Sequence, residues 1–275
     1  MILTEFAKCC GFLIKFRGYE PQPVTPNTLI RWLWQFEPVD RRAALSLLDN
    51  VIFYNRSRIT KALVNQNEAL LSRLETEGIP FKNVIYLHID EPGSSSSLMI
   101  NLLRNKANLE RRNWNVIDAS NPEITKLIAR LRQVAIVYVD DFLGSGTQFS
   151  YARKLVADRF PTALPEFMLA PCVCEEAYAK LSKLDVQVFA DHIHSKAERS
   201  LHPNGYILEA SSKARLQKIS SDIDAVQGMG FGGLAAMVAM YHNTPDNVPR
   251  ILRGNEGQDT FRGILPRTTD LPLRV

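Results

Sequence analysis

The chain has 275 residues, 45% of them hydrophobic and 23% charged, a profile that excludes a disordered or fibrous protein. Lys and Arg number 33 against 29 Asp and Glu, a surplus of four that is too small to argue for nucleic acid unless it is clustered. No apolar run approaches the roughly 20 residues of a membrane-spanning helix. The opening MILTEFAKCCGFLIKFRGYE is broken by Glu5, Lys8, Lys15 and Arg17, so neither a signal peptide nor an anchor is expected there. The expected setting is the cytoplasm, with no membrane partner.

Residues 1–25 are apolar without a clear period and end in the Pro-rich EPQPVTP. Three predicted helices follow: NTLIRWLWQF, DRRAALSLLDNVIFY and SRITKALVNQNEALLSRLETEG. Their apolar residues recur at helical intervals, as Ala62, Leu63, Leu70, Leu71 and Leu74 do. Asn27, Asp40 and Ser57 are the expected N-caps, and Gly78 the expected terminator of the third helix. Residues 1–79 thus read as an N-terminal helical region. Within it Trp32, Trp34 and Phe36 alternate, for core packing or for stacking on a base.

The pattern then changes. NVIYLHI (83–89) is β-branched and apolar, followed by the loop DEPGSSSS and a helix-like LMINLLRNKANLE. A strand in NWNVIDA precedes a helix in NPEITKLIARLRQ with an Asn cap. VAIVYV (134–139) is an unbroken apolar run, as expected of a strand buried on both faces of a parallel sheet. After the loop DDFLGSG come a helix TQFSYARKLVADRF, a strand EFMLAPCVC, a helix EEAYAKLSK and a strand DVQVFADH. This β–α alternation predicts an α/β core over residues 80–245, with right-handed crossovers.

A charged helix, SSKARLQKISSDIDAVQ, leads to GMGFGG (228–233), an apolar strand LAAMVAMYH and a Pro/Asn-rich tail. Residues 246–275 read as a C-terminal extension packing on the core. Gly228, Gly230 and Gly233 spell G-x-G-x-x-G, but after a helix and before a strand, the reverse of the dinucleotide order, so a turn or mobile flap is expected.

The four cysteines, Cys9, Cys10, Cys172 and Cys174, do not form a disulfide framework. The i,i+2 pairs Cys172/Cys174 and His192/His194 depart from zinc-ligand spacings, and the cysteines read as small hydrophobes of an apolar strand. No protein-held metal is expected.

The chemistry concentrates in VAIVYVDDFLGSGT (134–147). A buried strand delivers Asp140 and Asp141 to its C-terminal edge, where open α/β sheets bind ligands. A short glycine loop then runs straight into a helix. Backbone amides, hydroxyls and the helix dipole there make a monophosphate cradle of Leu143, Gly144, Ser145, Gly146, Thr147 and Gln148. Two acids beside a phosphate suit an uncharged diol, and a phosphate next to a ribose diol describes a 5-phosphoribosyl group. The chain has neither the Gly-Lys-Ser/Thr of a Walker A loop nor the G-x-S-x-G spacing of a nucleophile elbow at this loop.

Through Asp140, Asp141, Ser145 and Gly146 the segment resembles the phosphoribosyl-diphosphate motif of type I phosphoribosyltransferases. Gln148 stands where that motif ends in a hydroxyl, with Thr147 beside it. Trp32, Trp34, Phe36 and Tyr54, the VDDFLGSGTQ block and HNTPDNVPRIL…FRGILPR widen the resemblance to residues 26–267. In that span the chain resembles the phosphoribosyltransferase-like effectors of bacterial conflict systems, encoded in anti-phage and retron-type loci. The resemblance implies a type I phosphoribosyltransferase-like parallel-sheet core with an N-terminal helical hood. It also implies a phosphoribosyl diphosphate or nucleotide ligand, a part in phage defence or toxicity, and protein partners from a defence operon.

In the general fold the loop after the first strand holds the diphosphate. Here that loop is residues 90–97, with Glu91, Gly93, Ser94, Ser95 and Ser96 as the expected contacts. Its acids call for Mg²⁺ alongside the diphosphate, and Lys106, Arg111 and Arg112 are candidate cations from the flexible-loop position. His88 reads as structural. His242 precedes Asn243, Thr244, Asp246 and Asn247, a polar loop able to read an acceptor base. As an enzyme, the chain would be a pentosyltransferase or would cleave a glycosidic bond, acting at the anomeric carbon with Asp140 and Asp141 as its catalytic residues. The alternative is a non-catalytic sensor of a nucleotide or phosphoribosyl ligand that signals to a partner protein. Nucleic-acid binding by the N-terminal helices is the weaker reading, because Arg31, Arg41, Arg42, Arg56, Arg58 and Lys61 are interspersed with acids.

Overall fold

From the N-terminus the elements run α1 (Leu3–Lys15), α2 (Pro26–Leu33), α3 (Pro38–Asp49), β1 (Ile52–Tyr54), α4 (Arg56–Thr76), β2 (Val84–His88), α5 (Ser95–Lys106), β3 (Asn115–Asp118) and α6 (Glu123–Arg130). They continue with β4 (Ala135–Val139), β5 (Phe142–Leu143), α7 (Thr147–Ala157), β6 (Glu166–Cys174), α8 (Glu175–Lys183), β7 (Val186–His194), α9 (Ala210–Ile223), β8 (Val238–Met240) and α10 (Arg250–Arg253). The source is a computed structural model, which describes residues 3–89, 94–106, 115–118, 121–131, 133–158, 164–254 and 260–271, without the side chains of 3–7, 118 and 270. The chain divides into two units, residues 57–193 and residues 1–56 with 194–275. The segments read from sequence, divided at 79 and 245, are cut differently. Nearly all of α4 belongs with the sheet, and the chain beyond residue 193 returns to the unit of the N-terminal helices.

In the unit built from both chain ends, α1 forms where no helical period was visible. Phe12 and Phe16 lie one turn apart and are buried, and Phe16 meets Phe53 edge-to-face at 5.4 Å. The cap of α2 is Thr25 rather than Asn27. Thr28 N–H donates to the Thr25 hydroxyl (3.2 Å) and Thr25 N–H to that of Thr28 (2.8 Å), with Pro26 opening the helix. Asp40 lies inside α3, buried and paired with Arg215 of α9 at 2.5 Å. The end of the predicted second helix, IFY, is strand β1 instead, paired in parallel with β8 through Ile52 and Val238. Trp32 and Phe36 are core, and the Trp32 indole donates to Ile251 O at 2.8 Å, whereas Trp34 is 72% exposed. Residues 228–233 form a packed turn. Gly230 has φ +79, and a Cβ there would sit 2.2 Å from Asn247 O.

The unit of residues 57–193 begins with α4, which ends at Gly78 in the left-handed region (φ +72) as the sequence predicts. Its sheet runs β3-β2-β4-β6-β5 with β7 also on β6, and the registered pairs are all parallel. All five residues of β4 are buried, the burial its apolar run predicts for a central strand. One face packs Ile85, Leu87, Ile136 and Tyr138 against Phe149 and Ala152 of α7 and Ala177 and Leu181 of α8. Tyr138 crosses Phe149 edge-to-face at 5.0 Å and donates to Glu166 at 2.8 Å. Arg153 of α7 donates to the same carboxylate at 2.8 Å, which pins the helix to the strands. Burial, with the Glu166 charge beside it, pushes the Tyr138 phenol well above its ordinary range. Among the described residues no helix is long and apolar enough to cross a membrane.

Candidate functional site

The site begins with a missing backbone donor. β4 and β5 pair with β6 at one common offset, so Asp140 and Asp141, between them, fall opposite Ala170 and Pro171. Asp140 N–H still donates to Leu169 O at 3.2 Å. In a parallel ladder the next bond would come from residue 171, and proline has no N–H. The ladder therefore breaks where the two acids sit, at the C-terminal edge of a central strand.

Asp140 and Asp141 are 3% and 9% exposed. Asp140 Oδ1 accepts from Asp141 N–H (2.9 Å) and from the hydroxyl of Ser95 (3.1 Å), in the first turn of α5. The Ser96 hydroxyl donates to Val139 O (2.6 Å) and accepts from Ile89 N–H (3.0 Å). The Ser97 hydroxyl shares a hydrogen bond with His88 Nδ1 at 3.1 Å. The serines expected at the diphosphate thus tie the end of β2, the end of β4 and the first acid together. The hydroxyl oxygen of Ser94 is buried without a hydrogen-bond partner among the described residues. Glu91, Gly93, Arg111 and Arg112 lie outside the described residues, and Lys106 is exposed at the end of α5.

Beyond the acids, Leu143 and Gly144 are buried, and the hydroxyls of Ser145 and Thr147 share a hydrogen bond of 2.8 Å. Gly146, at φ +70 and ψ 20, turns the chain into α7 as its N-cap. The first-turn amides that follow have no acceptor within the helix, and Thr147 and Gln148 are exposed beside them. Gly146 rests on α8. A Cβ at this position would meet Ala177, Lys180 and Leu181 at 3.5 Å, and Lys180 Nζ donates to Gly146 O at 3.3 Å. The sequence reading missed Lys180, because nothing in EEAYAKLSK announces that its packing face meets a loop some thirty residues earlier.

The expected acceptor loop belongs to the other unit, where its groups brace one another. Thr244 is fully buried, and its hydroxyl shares a hydrogen bond of 2.7 Å with Tyr19. Asn243 Oδ1 accepts from Thr244 N–H at 3.0 Å, and Asn247 Nδ2 donates to Phe231 O at 3.0 Å. The Asp246 carbonyl accepts from Phe231 N–H (2.9 Å) and Arg253 (2.7 Å). Cys172 and Cys174 are buried in β6, and His194 accepts from Met237 N–H at 3.1 Å.

The model of the PRTase-CE family matches the chain over residues 29–267. A search of curated proteins returns no match.

Proposed function

The chain belongs to the PRTase-CE family, which is phosphoribosyltransferase-like, and from that membership we propose that the edge of its larger sheet binds a 5-phosphoribosyl ligand. One observation carries the proposal: two buried acids leave the strand line at Pro171 and stand three residues before a glycine loop that opens α7. The loop amides and hydroxyls take the 5′-phosphate. The acids accept from the ribose hydroxyls, Asp140 in an orientation held by Ser95. The Ser94 hydroxyl, buried with no partner among the described residues, would serve the diphosphate. Mg²⁺ would come with the diphosphate, drawn by the carboxylates of the 90–97 loop, whose oxygens suit a hard cation. Bound with the diphosphate, the ion supplies positive charge that makes it a better leaving group.

As an enzyme, the chain would hold the sugar while the bond from its anomeric carbon to the leaving oxygen breaks, the electron pair departing on the diphosphate. An acceptor lone pair then forms the new bond. Fixing the sugar at both ends and stabilising charge in the oxocarbenium-like transition state are the protein's contributions. A second reading, a sensor that binds the ligand and signals to a partner protein, is favoured by the 90–97 loop, which contains no Lys or Arg. A role in phage defence or toxicity, and partners from the same operon, complete the proposal on the strength of the family resemblance.

Calorimetry with phosphoribosyl diphosphate, ribose 5-phosphate and a nucleoside monophosphate tests binding. Asp140→Asn with Asp141→Asn is expected to abolish it, and unchanged affinity would remove the site assignment. Mass spectrometry of products after incubation with phosphoribosyl diphosphate and a nucleotide and tRNA pool separates enzyme from sensor.

A further inference from the structure

We propose that Lys180 of α8 is a phosphate-binding residue that makes the site selective for a phosphorylated sugar; this rests on the phosphoribosyl reading above. Helix α8 starts directly after β6 ends, so its N-terminus lies at the same edge of the sheet as Asp140, Asp141 and the glycine loop. Side chains on a helix lean toward its N-terminus, which aims Lys180 at that edge. Its stem packs on Gly146, with Cδ 3.5 Å from where a Cβ would stand, and its ammonium reaches Gly146 O at 3.3 Å.

The unusual feature is a charge that is partly withdrawn from water. Lys180 is half-buried, and its one hydrogen bond among the described residues goes to a carbonyl; no described carboxylate pairs with it. The other described lysines of this unit, Lys61, Lys82, Lys106, Lys126, Lys154 and Lys183, are all exposed, so water solvates their charge. An ammonium carries three donors, so two remain for a ligand. A half-buried cation with no described counter-anion, beside first-turn amides that have no acceptor within their helix, is electrostatically incomplete until an anion arrives. A phosphate dianion completes it. The same charge answers the absence of Lys and Arg from residues 90–97, although at the 5′-phosphate end of the ligand rather than at the diphosphate.

The test compares ribose 5-phosphate with ribose by calorimetry on the full chain, for wild type, Lys180→Met and Lys180→Arg. Wild type is expected to bind the phosphorylated sugar. Lys180→Met is expected to weaken that binding about tenfold or more, the scale of a lost hydrogen bond to a charged group. Lys180→Arg restores most of the affinity, and the wild-type preference becomes less sensitive to salt in the Met variant. A lysine that only holds Gly146 O would shift the melting temperature and leave the preference for the phosphorylated sugar intact; that result overturns the proposal. Wild-type binding that Lys180→Met leaves unchanged overturns it too, while the phosphoribosyl reading survives. Absence of wild-type binding to ribose 5-phosphate and to phosphoribosyl diphosphate removes both.

Discussion

Gly146 is the position where local strain, packing and the proposed ligand site meet, so Gly146→Ala is the most informative single change. At φ +70 an L-residue encounters its own carbonyl, at about 1–2 kcal/mol. The new methyl adds little to this, because Ala177, Lys180 and Leu181 would lie at 3.5 Å, ordinary van der Waals contact. The expected loss is therefore conformational, about 1–2 kcal/mol, or a factor of roughly 5–30 in the folded population. Two units need not unfold together, so the readout is hydrogen exchange of the α7 amides alongside urea denaturation. Ala177→Gly, which removes one of the three side chains at 3.5 Å, completes a double-mutant cycle, and its coupling to Gly146→Ala is expected to be near zero. A loss of 4 kcal/mol or more, or a cost that Ala177→Gly relieves, would show that the corner is limited by space and would refute the assignment to backbone strain.

Ser96→Ala removes the hydroxyl that joins Ile89 N–H to Val139 O, and is expected to cost about 1–3 kcal/mol in chemical denaturation, the range for stranding buried partners; an unchanged midpoint would dismiss the brace. Glu166→Gln takes away the charge next to Tyr138, so in an ultraviolet pH titration that phenol is expected to ionise at lower pH than in wild type, though burial keeps it above a free tyrosine. The Asp224 carboxyl is held below its ordinary value chiefly by the N–H of Gln227, helped by that of Val226 and by Arg250. Its contribution to stability is accordingly full above the unfolded pKa near 4. That contribution is lost as pH falls through the lower folded value. Asp224→Asn should narrow the gap between neutral and acid stability, and identical acid profiles for the two proteins would contradict this.

The sheet was legible where one physical demand dominated. VAIVYV could only be a strand buried on both faces, and the acids, glycines and hydroxyls after it describe a ligand loop without coordinates. Three features were not legible. IFY ran on from a helical pattern with no Gly or Pro to interrupt it, and its partner, VAM, lies far along the chain. Pro171 stands inside the apolar strand EFMLAPCVC. Its effect, releasing Asp140 and Asp141 from the ladder, depends on the register with a second strand. Trp34 shares its spacing with Trp32 and Phe36, yet it follows the last residue of α2 and points outward, so alternation there carried no information about burial. Lys180 is a case of the same kind, an unremarkable helix lysine until the fold sets Gly146 against it.

The division of the chain also orders its synthesis. Residues 57–193 are contiguous and hold all strands of the larger sheet, so their partners are complete once that segment has left the ribosome. The other unit is split around them. Ile52 must wait for Val238, and Asp40 for Arg215, before β1 and α3 reach their native neighbours. Because domains fold as units while the chain emerges, α1 to α3 can pack on one another early. The faces that meet residues 194–275 are completed only when that segment has been made.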